Sequence, residues 1–185
     1  MPKRSEEHLE ARRRQIVDGA RRAFARHGYE RATVAVLEDE IGLSRGAIFN
    51  YFPSKLELFY ALAVDDYANA LTTVVQQGWE EAIREIAEKN PDWLGVYLEN
   101  ARRIRTDADF RERWKQRSPE LEQRADEYFE RLLAEGELRD DVPLDQLGRF
   151  VALVADGVAL QTGAGFPVDV EPVIGLIRDA LAPRK

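Results

Sequence analysis

The segment at residues 44–52 contains side chains that are suited to contacting nucleic acid. Arg45 carries a planar guanidinium whose donors match O6 and N7 of guanine. Gly46 has no side chain, so the backbone there can approach the edges of bases closely. Asn50 and Tyr51 offer donors to either a phosphate or a base. These residue types at this spacing indicate a base-reading element on one short segment.

Three residues near this segment are suited to binding phosphate groups. Thr33 and Ser44 each stand where a short helix is predicted to begin, and the free N–H groups of a helix N-terminus bind anions. Lys55 adds a point charge at the start of a further helix. We therefore expect Thr33, Ser44 and Lys55 to contribute affinity for a nucleic-acid backbone.

Two short predicted helices and the turn between them hold these residues. Apolar residues at helical spacing predict the first helix from Thr33 to Ile41, and Gly42 predicts the turn. The second short helix is predicted from Arg45 to about Phe52. A longer helix, from Ser5 to His27 and ended by Gly28, precedes both. This order predicts a helix-turn-helix, whose second short helix would enter the major groove of DNA.

The rest of the chain also shows helical periodicity and no strand alternation, so an all-α fold is expected. Pro53 breaks the chain, and a capping box from Ser54 to Glu57 predicts the start of a long helix. This helix joins an N-terminal domain, residues 1–55, to a helical C-terminal domain, residues 56–185. The other predicted helices run from Trp79 to Ala87, Trp93 to Arg105, Ser118 to Leu133, Pro143 to Thr162 and Val170 to Leu181.

Composition argues against several classes of site. The 185 residues include no cysteine and only two histidines, which excludes a disulfide framework and argues against a zinc site. No apolar run is long enough to span a membrane, and the N-terminal residues lack the apolar core of a signal peptide. We therefore expect a cytoplasmic protein with no membrane partner, no metal and no other cofactor.

The net charge of −7 is distributed unevenly along the chain. Residues 1–56 hold 11 Lys and Arg against 8 Asp and Glu, whereas residues 57–185 hold 16 against 26. Because salt screens charges beyond about 8–10 Å, a basic front can bind DNA although the body is acidic. The asymmetry is small and decides nothing alone.

Two alternatives to nucleic-acid binding are open at this point. An enzyme is disfavoured because the sequence has no glycine-rich phosphate loop, no His-Glu-x-x-His motif and no nucleophile elbow. No catalytic residue is therefore predicted. A helical scaffold or interaction module would also account for three helices of this kind, but it gives no joint role to Arg45, Tyr51 and Lys55.

The amino-acid sequences of two stretches favour nucleic-acid binding over an enzyme or a helical scaffold. They are FARHGYERATV at residues 24–34 and IGLSRGAIFNYFPSKLELF at residues 41–59. The region that contains them, from Arg12 to Leu62, resembles the N-terminal domain of the TetR family of transcriptional repressors. The resemblance implies a three-helix DNA-binding domain joined by the long helix to a helical ligand-binding and dimerisation domain. It also implies a homodimer that binds a palindromic operator and is released by a small-molecule effector.

The same resemblance assigns roles to the contact residues. Those facing bases would be Arg45, Gly46 and Asn50, and those contacting phosphates would be Thr33, Ser44, Tyr51 and Lys55. Family members often carry His at the position of Asn50, so the operator sequence cannot be carried over. A DNA-binding regulator that responds to no ligand remains an alternative.

The resemblance further implies a four-helix dimer interface made by the last two helices of each subunit. We expect it to use apolar residues on these helices, namely Phe150, Val151, Val154, Val158, Val173, Ile174, Ile177 and Leu181. Gly157 would allow the helices to approach closely. The alternative is that these residues face the core of their own subunit.

An effector pocket is expected among the middle helices, where aromatic and polar residues lie near apolar stretches. The candidates are Trp93, Tyr97, Asn100, Arg103, Trp114, Tyr128 and Asp156. Each could instead be a packing residue, and Glu99 with Arg103 could be a surface ion pair. Residues 98–114 resemble the actinobacterial aconitase repressors within the family, which implies a tricarboxylate effector.

Overall fold

Ten α-helices make up the part of the chain that the computed structural model describes, and no strand occurs in that part. The described residues are 3–88 and 92–184, with side chains described for residues 6–88 and 96–184. The predicted all-α fold is therefore confirmed. No helix within these ranges is both long and apolar enough to cross a membrane. The helices are α1 Lys3–Arg31, α2 Val34–Ile41, α3 Arg45–Phe49, α4 Lys55–Gln77, α5 Trp79–Glu88, α6 Asp92–Thr106, α7 Ala108–Lys115, α8 Pro119–Ala134, α9 Leu144–Gly163 and α10 Val170–Leu181.

Helix α1 contains a break at Gly28, where φ is 71° and ψ is 160°. Glycine is favoured there because this left-handed φ would strain a residue that has a Cβ. The break occurs where the sequence predicts it, but helical residues resume beyond it and continue to Arg31. Helix α1 is therefore longer than predicted, and its last residues form a separate short piece.

Helix α2 begins and ends at the predicted signals. The Thr33 hydroxyl oxygen accepts the backbone N–H of Val36 at 3.4 Å, which is an N-cap. Gly42 ends the helix with φ at 74°, so the chain turns sharply toward α3. The first half of the helix-turn-helix therefore follows from local sequence signals.

Helix α3 differs from its prediction in two respects. It ends at Phe49 and not near Phe52. Ser44 makes no side-chain cap hydrogen bond, and the Glu38 carboxylate instead accepts the backbone N–H of Arg45 at 2.6 Å. The expectation that this N–H is free for a phosphate is therefore wrong, because a carboxylate of α2 already occupies it.

Contacts divide the chain into two units, and α4 contributes residues to both. The first unit contains the described residues of Met1–Asp66 and Asp92–Lys115, and the second contains those of Tyr67–Pro91 and Gln116–Lys185. Helices α6 and α7 thus pack in the first unit, although the predicted boundary assigns them to the C-terminal domain. These units describe packing and not function, so the functional division after Lys55 stays a prediction.

The core of the first unit is formed by apolar residues of α1 to α4, with Val96 from α6 and Phe110 from α7. Helices α1 and α2 touch at Gly19, where a Cβ would lie 2.6 Å from Cγ1 of Ile41. Ile48 is the buried residue of α3. Because Ile48 fastens α3 to this core, the opposite side of α3 is left to solvent.

The core of the second unit is formed by α5, α8, α9 and α10. Its fully or largely buried side chains include Trp79, Ile83, Phe129, Val151 and Ile174. Helices α9 and α10 thus contribute apolar residues to the interior of their own chain, and only their remaining faces are available to a partner.

Candidate nucleic-acid interface

The three residues predicted to face bases are all exposed on α3 or at its end. Gly46 and Asn50 are four residues apart and therefore share a face of the helix. A Cβ at Gly46 would meet nothing within 4 Å, so the backbone is open to solvent there. The Arg45 guanidinium lies 5.9 Å from the centre of the Phe49 ring. The structure therefore leaves Arg45, Gly46 and Asn50 exposed along α3, from its first residue to its C-cap.

Two predicted phosphate contacts lie at the edges of this surface. Thr33 and Ser44 are exposed at the starts of α2 and α3. Tyr51 follows α3 and is half-buried, because its ring packs against the core of the first unit. The geometry leaves the hydroxyl of Ser44 unused by the helix that it precedes, whereas the hydroxyl of Thr33 caps α2.

Lys55 does not have the place expected of a phosphate contact. Its ammonium donates to the backbone carbonyls of Tyr29, Glu30 and Ala32, at 2.8, 3.4 and 3.3 Å. A lysine has three N–H donors, so these acceptors use all of them. Burial lowers the pKa of Lys55 from its ordinary value. Lys55 thus binds carbonyls at the end of α1 and just beyond it, an internal role that competes with the predicted contact to a phosphate. The phosphate role itself stays a prediction.

The Tyr29 ring lies beside two cations of the first unit. The Lys55 Nζ is 4.3 Å and the Arg103 guanidinium carbon is 4.1 Å from its centroid. Burial raises the pKa of the Tyr29 hydroxyl. Arg103 also donates to the Glu99 carboxylate at 2.7 Å. The ion-pair alternative for Arg103 is thus the one found, although the pair is only 14% and 11% exposed and is not a surface pair.

The sequence interpretation missed a basic cluster on α1. Arg13 and Arg14 are exposed, and the Arg13 guanidinium lies 4.6 Å from the centre of the Phe52 ring, just past the end of α3. Gln15 donates to the carbonyl of Ile41 at 3.1 Å, which joins this part of α1 to the turn before α3. The run of three arginines at 12–14 was the available signal, and it entered the prediction only as net charge.

Comparison with known proteins agrees with this arrangement. A family model described as bacterial regulatory proteins, tetR family, matches residues 16–62. The HTH-type transcriptional repressor Rv1474c of Mycobacterium tuberculosis is 42% identical over 184 residues, which are 98% of each chain. The chain belongs to the TetR family. The predicted family and its DNA-binding helix-turn-helix are thereby confirmed.

A second relative and a solved structure extend the comparison. The HTH-type transcriptional repressor AcnR of Corynebacterium diphtheriae is 40% identical, over 98% of this chain and 97% of the relative. The structure of Salmonella enterica GusR superposes with a TM-score of 0.74 over 92% of this chain and 93% of that one. Because GusR is only 18% identical, it shows a shared fold alone.

The predicted effector-pocket residues of this TetR-family chain are divided between the two units. Tyr97, Asn100, Arg103 and Trp114 belong to the first, and Tyr128 and Asp156 to the second, whereas the side chain of Trp93 lies outside the described residues. Trp114 stacks on Phe110 at 6.4 Å, as an aromatic packing residue does. Asp156 is exposed on α9. Asn100 remains a candidate effector contact, because its buried Oδ1 has no hydrogen-bond partner.

A groove of about 400 Å³ lies in the second unit, and Tyr128 is the one predicted pocket residue among those that line it. Its carboxylates are those of Glu80, Glu81 and Glu137, against one guanidinium, that of Arg84. Arg84 already pairs with both Glu80 and Glu81, at 3.6 and 3.4 Å. The groove is therefore a poor match for a tricarboxylate.

Arg117 is a mostly buried cation of the second unit that the sequence interpretation did not single out. Its side chain is 13% exposed, and its guanidinium carbon lies 3.6 Å from the centre of the Tyr67 ring. It pairs with Glu122 at 3.3 Å, and Glu122 also accepts the Tyr67 hydroxyl at 3.2 Å. Burial raises the pKa of Tyr67 to about 12. A buried guanidinium with aromatic and hydroxyl neighbours is the kind of group that can hold a carboxylate.

The residues predicted for the dimer interface are not all on the surface. Phe150 is exposed, and Val154 and Val173 are half-buried. The other five are buried in the core of the second unit, which is the alternative considered for them: Val151, Val158, Ile174, Ile177 and Leu181. Their burial favours the alternative, because a side chain enclosed by its own chain presents no surface to a partner. Their assignment to the interface stays a prediction.

A different apolar stripe of α9 and α10 faces solvent. Phe150, Leu153, Gly157 and Leu160 are exposed at spacings of three and four residues, so they lie along one side of α9. Leu153 is 63% exposed, and Leu176 on α10 is 70% exposed. A Cβ at Gly157 would meet nothing within 4 Å. Helix α9 is therefore apolar on two sides, one inside and one outside, and α10 adds the exposed Leu176.

Proposed function

We propose that this TetR-family repressor binds a palindromic operator as a homodimer, reads bases with α3, and is released by a small-molecule effector. The observation that carries the proposal is the exposed, polar surface of α3, which Arg45, Gly46 and Asn50 form while Ile48 is buried. A core-fastened helix that offers an arginine and an amide to solvent suits the major groove. Such a repressor would meet its operator in the cytoplasm, and we retain residues 1–55 and 56–185 as its DNA-binding and regulatory domains.

The contacts to DNA divide into two groups under this proposal. Arg45, Gly46 and Asn50 face bases, so they set sequence preference. Phosphate contacts come from Thr33, Ser44 and Tyr51, with Arg13 added and Lys55 removed from the predicted set. Arg13 is supported by its exposure and by its position over Phe52, beside the end of α3.

The partner for the exposed stripe of α9 and α10 is a second copy of the same chain. Contiguous apolar surface on a single chain marks an interaction site, and a twofold axis would place the same stripe of each copy face to face. Phe150, Leu153, Leu160 and Leu176 would then replace the buried residues as the interface. A palindromic operator requires this symmetry because each half-site needs its own α3.

The effector has its best-supported anchor at Arg117 and not at Arg103. Both arginines are paired, but Glu99 beside Arg103 is 11% exposed, whereas Glu122 beside Arg117 is 39% exposed, so an anion could compete more easily for the place of Glu122. Citrate, as a tricarboxylate probe, should weaken DNA binding by the wild-type protein, and Arg117→Gln should remove that response. Arg131→Gln, on the same unit, is the control. A wild-type affinity for DNA that citrate leaves unchanged would rule out a tricarboxylate effector.

The proposal is tested by selecting DNA from a random duplex library with the full-length protein. We expect enrichment of an inverted repeat whose half-sites are centred about 34–36 Å apart, or a multiple of that distance. Footprints of the selected duplex should be symmetric. A library that shows no enrichment over many rounds, with folded protein, would contradict DNA recognition and favour a helical interaction module.

A further inference from the structure

The helix-turn-helix is held at both of its ends by one side chain. Lys55 stands at the start of α4, just after α3, and its ammonium binds carbonyls of residues 29–32, just before α2. The chain between these points contains both short helices and nothing else that is helical. The position of Lys55 relative to Tyr29 therefore fixes how the two ends of the helix-turn-helix approach each other.

Helix α6 contacts the segment that Lys55 binds, and it does so through the ring of Tyr29. The Arg103 guanidinium and the Lys55 ammonium each lie about one cation–π distance from the ring, at 4.1 and 4.3 Å from its centre. The same ring packs against Phe24 at 5.5 Å and Phe59 at 5.2 Å, so it has little freedom to move. A displacement of Arg103 would therefore shift Tyr29, and with it the carbonyls that Lys55 binds.

Glu99 fixes the position of the arginine on α6. Its carboxylate accepts from Arg103 at 2.7 Å and from two nitrogens of Arg102 at 2.8 Å. Arg102 also approaches the Glu30 carboxylate at 3.5 Å. Two arginines of α6 thus meet the short piece of α1 that follows the break at Gly28, and one carboxylate orients both.

We infer that Glu99 and Arg103 of α6 are positioning residues for the recognition helix, acting through Tyr29 and Lys55. The inference rests on the proposed function, since it concerns how α3 is held for base reading. Neither residue is expected to touch DNA. Their role is to keep the segment before α2 and the start of α4 in the arrangement that presents Arg45 and Asn50 together.

A positioning role differs from a stabilising one in what it changes. Base reading requires α3 to be placed accurately, whereas contact with phosphates of any sequence is governed by charge and tolerates displacement. Loss of the Arg103 cation should therefore reduce binding to a selected duplex and leave binding to a scrambled duplex nearly unchanged. The slope of affinity against salt should stay the same because no phosphate contact is lost.

The experiment uses the full-length protein and two duplexes, namely one selected by the wild type from a random library and a scrambled duplex of equal composition. Arg103→Leu should weaken binding to the selected duplex by roughly three- to tenfold. Arg103→Lys, which returns a cation to the ring, should recover most of the loss. Arg105→Leu removes the same charge from an exposed position of α6 and should bind as the wild type does.

Glu99→Gln is the second variant, because it keeps the shape of the side chain if Arg103→Leu proves unstable. It should shift the same ratio of selected to scrambled binding, by a smaller factor. Equal binding of both variants and wild type to the selected duplex would overturn the inference, and so would an equal loss on both duplexes. Failure of the wild type to select any duplex would instead overturn the proposed function, and the inference with it.

Discussion

Helices α3 and α9 both place some side chains in the core and others in solvent. The exposed face of α3 is polar, whereas that of α9 is apolar. In α3 the buried residue is Ile48, and the exposed ones are polar or lack a side chain, as at Arg45 and Gly46. In α9 Val151 is buried, yet Leu153 on the other side is also apolar. A polar exposed face suits hydrated nucleic acid, and an apolar one suits a protein partner.

This difference also explains which residues the sequence could identify. Where one side of a helix is polar, periodicity separates the inner residues from the outer ones, as it does for α2 and α3. Where both sides are apolar, periodicity shows two stripes and cannot say which one is enclosed. The predicted interface on α9 and α10 therefore included Val151 and Ile174, which are buried, and omitted Leu153 and Leu176, which are exposed.

Substitutions on the buried and exposed sides of α10 should differ most in their effect on the free energy of unfolding. Ile174→Glu would place a carboxylate at a site that is 0% exposed and should cost more than about 4 kcal/mol of the free energy of unfolding. Leu176→Glu, at an exposed site, should change the free energy of unfolding by no more than about 0.5 kcal/mol while shifting dimer to monomer. Denaturant unfolding and sedimentation velocity would measure both quantities.

Ala134→Glu on α8 is the control, since it adds the same charge at an exposed position outside both stripes. A Leu176→Glu variant that remains as dimeric as this control would contradict the assignment of the exposed apolar stripe to a protein partner. The exposed stripe would then have no role in self-association.

Substitution of Lys55, whose ammonium points inward, should have the next largest effect on the free energy of unfolding. Lys55→Met keeps the length of the side chain but leaves three carbonyls without their donor. Loss of hydrogen bonds from a charged donor should reduce the free energy of unfolding by about 1.5–3 kcal/mol. The slope of DNA affinity against salt, measured on a scrambled duplex, should be unchanged. A slope that falls by about one unit without loss of stability would restore the phosphate role for Lys55.

Two hydroxyl residues at the polar edge give the smallest effect. Thr33→Ala removes the cap of α2 and should cost about 1 kcal/mol of stability, whereas Ser44→Ala removes no cap bond and should cost less than about 0.5 kcal/mol. Both should weaken DNA binding to a similar extent if each hydroxyl contacts a phosphate. Thermal unfolding and binding to a scrambled duplex would separate the two roles, and an unchanged affinity for Ser44→Ala would remove it from the interface.

Local signals made much of the fold predictable. The break at Gly28, the cap at Thr33, the turn at Gly42 and the start of α4 after Ser54 act within a few residues of themselves. Contacts between distant residues were not predictable in this way. The Lys55 ammonium meets Tyr29, 26 residues away, and no spacing rule reports that such a lysine is already occupied.

The same limit applies to the effector site. Arg103 was selected because it is a polar residue near apolar stretches, but in the structure it pairs with Glu99 and lies over Tyr29. Arg117 has the burial of a binding residue, yet it lies between α7 and α8, among residues whose sequence shows no motif. Burial of a charge is a tertiary property, so only the folded chain reveals it.

Arg45→Ala most directly tests whether the exposed residues of α3 read the edges of bases. Affinity should be measured in competition, for a duplex selected by the wild type and for a scrambled duplex. Arg45→Ala should cost about 1–3 kcal/mol on the selected duplex and relax the preference at one base pair in each half-site, with little change on the scrambled one. An equal loss on both duplexes would contradict base reading by α3, because Arg45 would then contribute only charge.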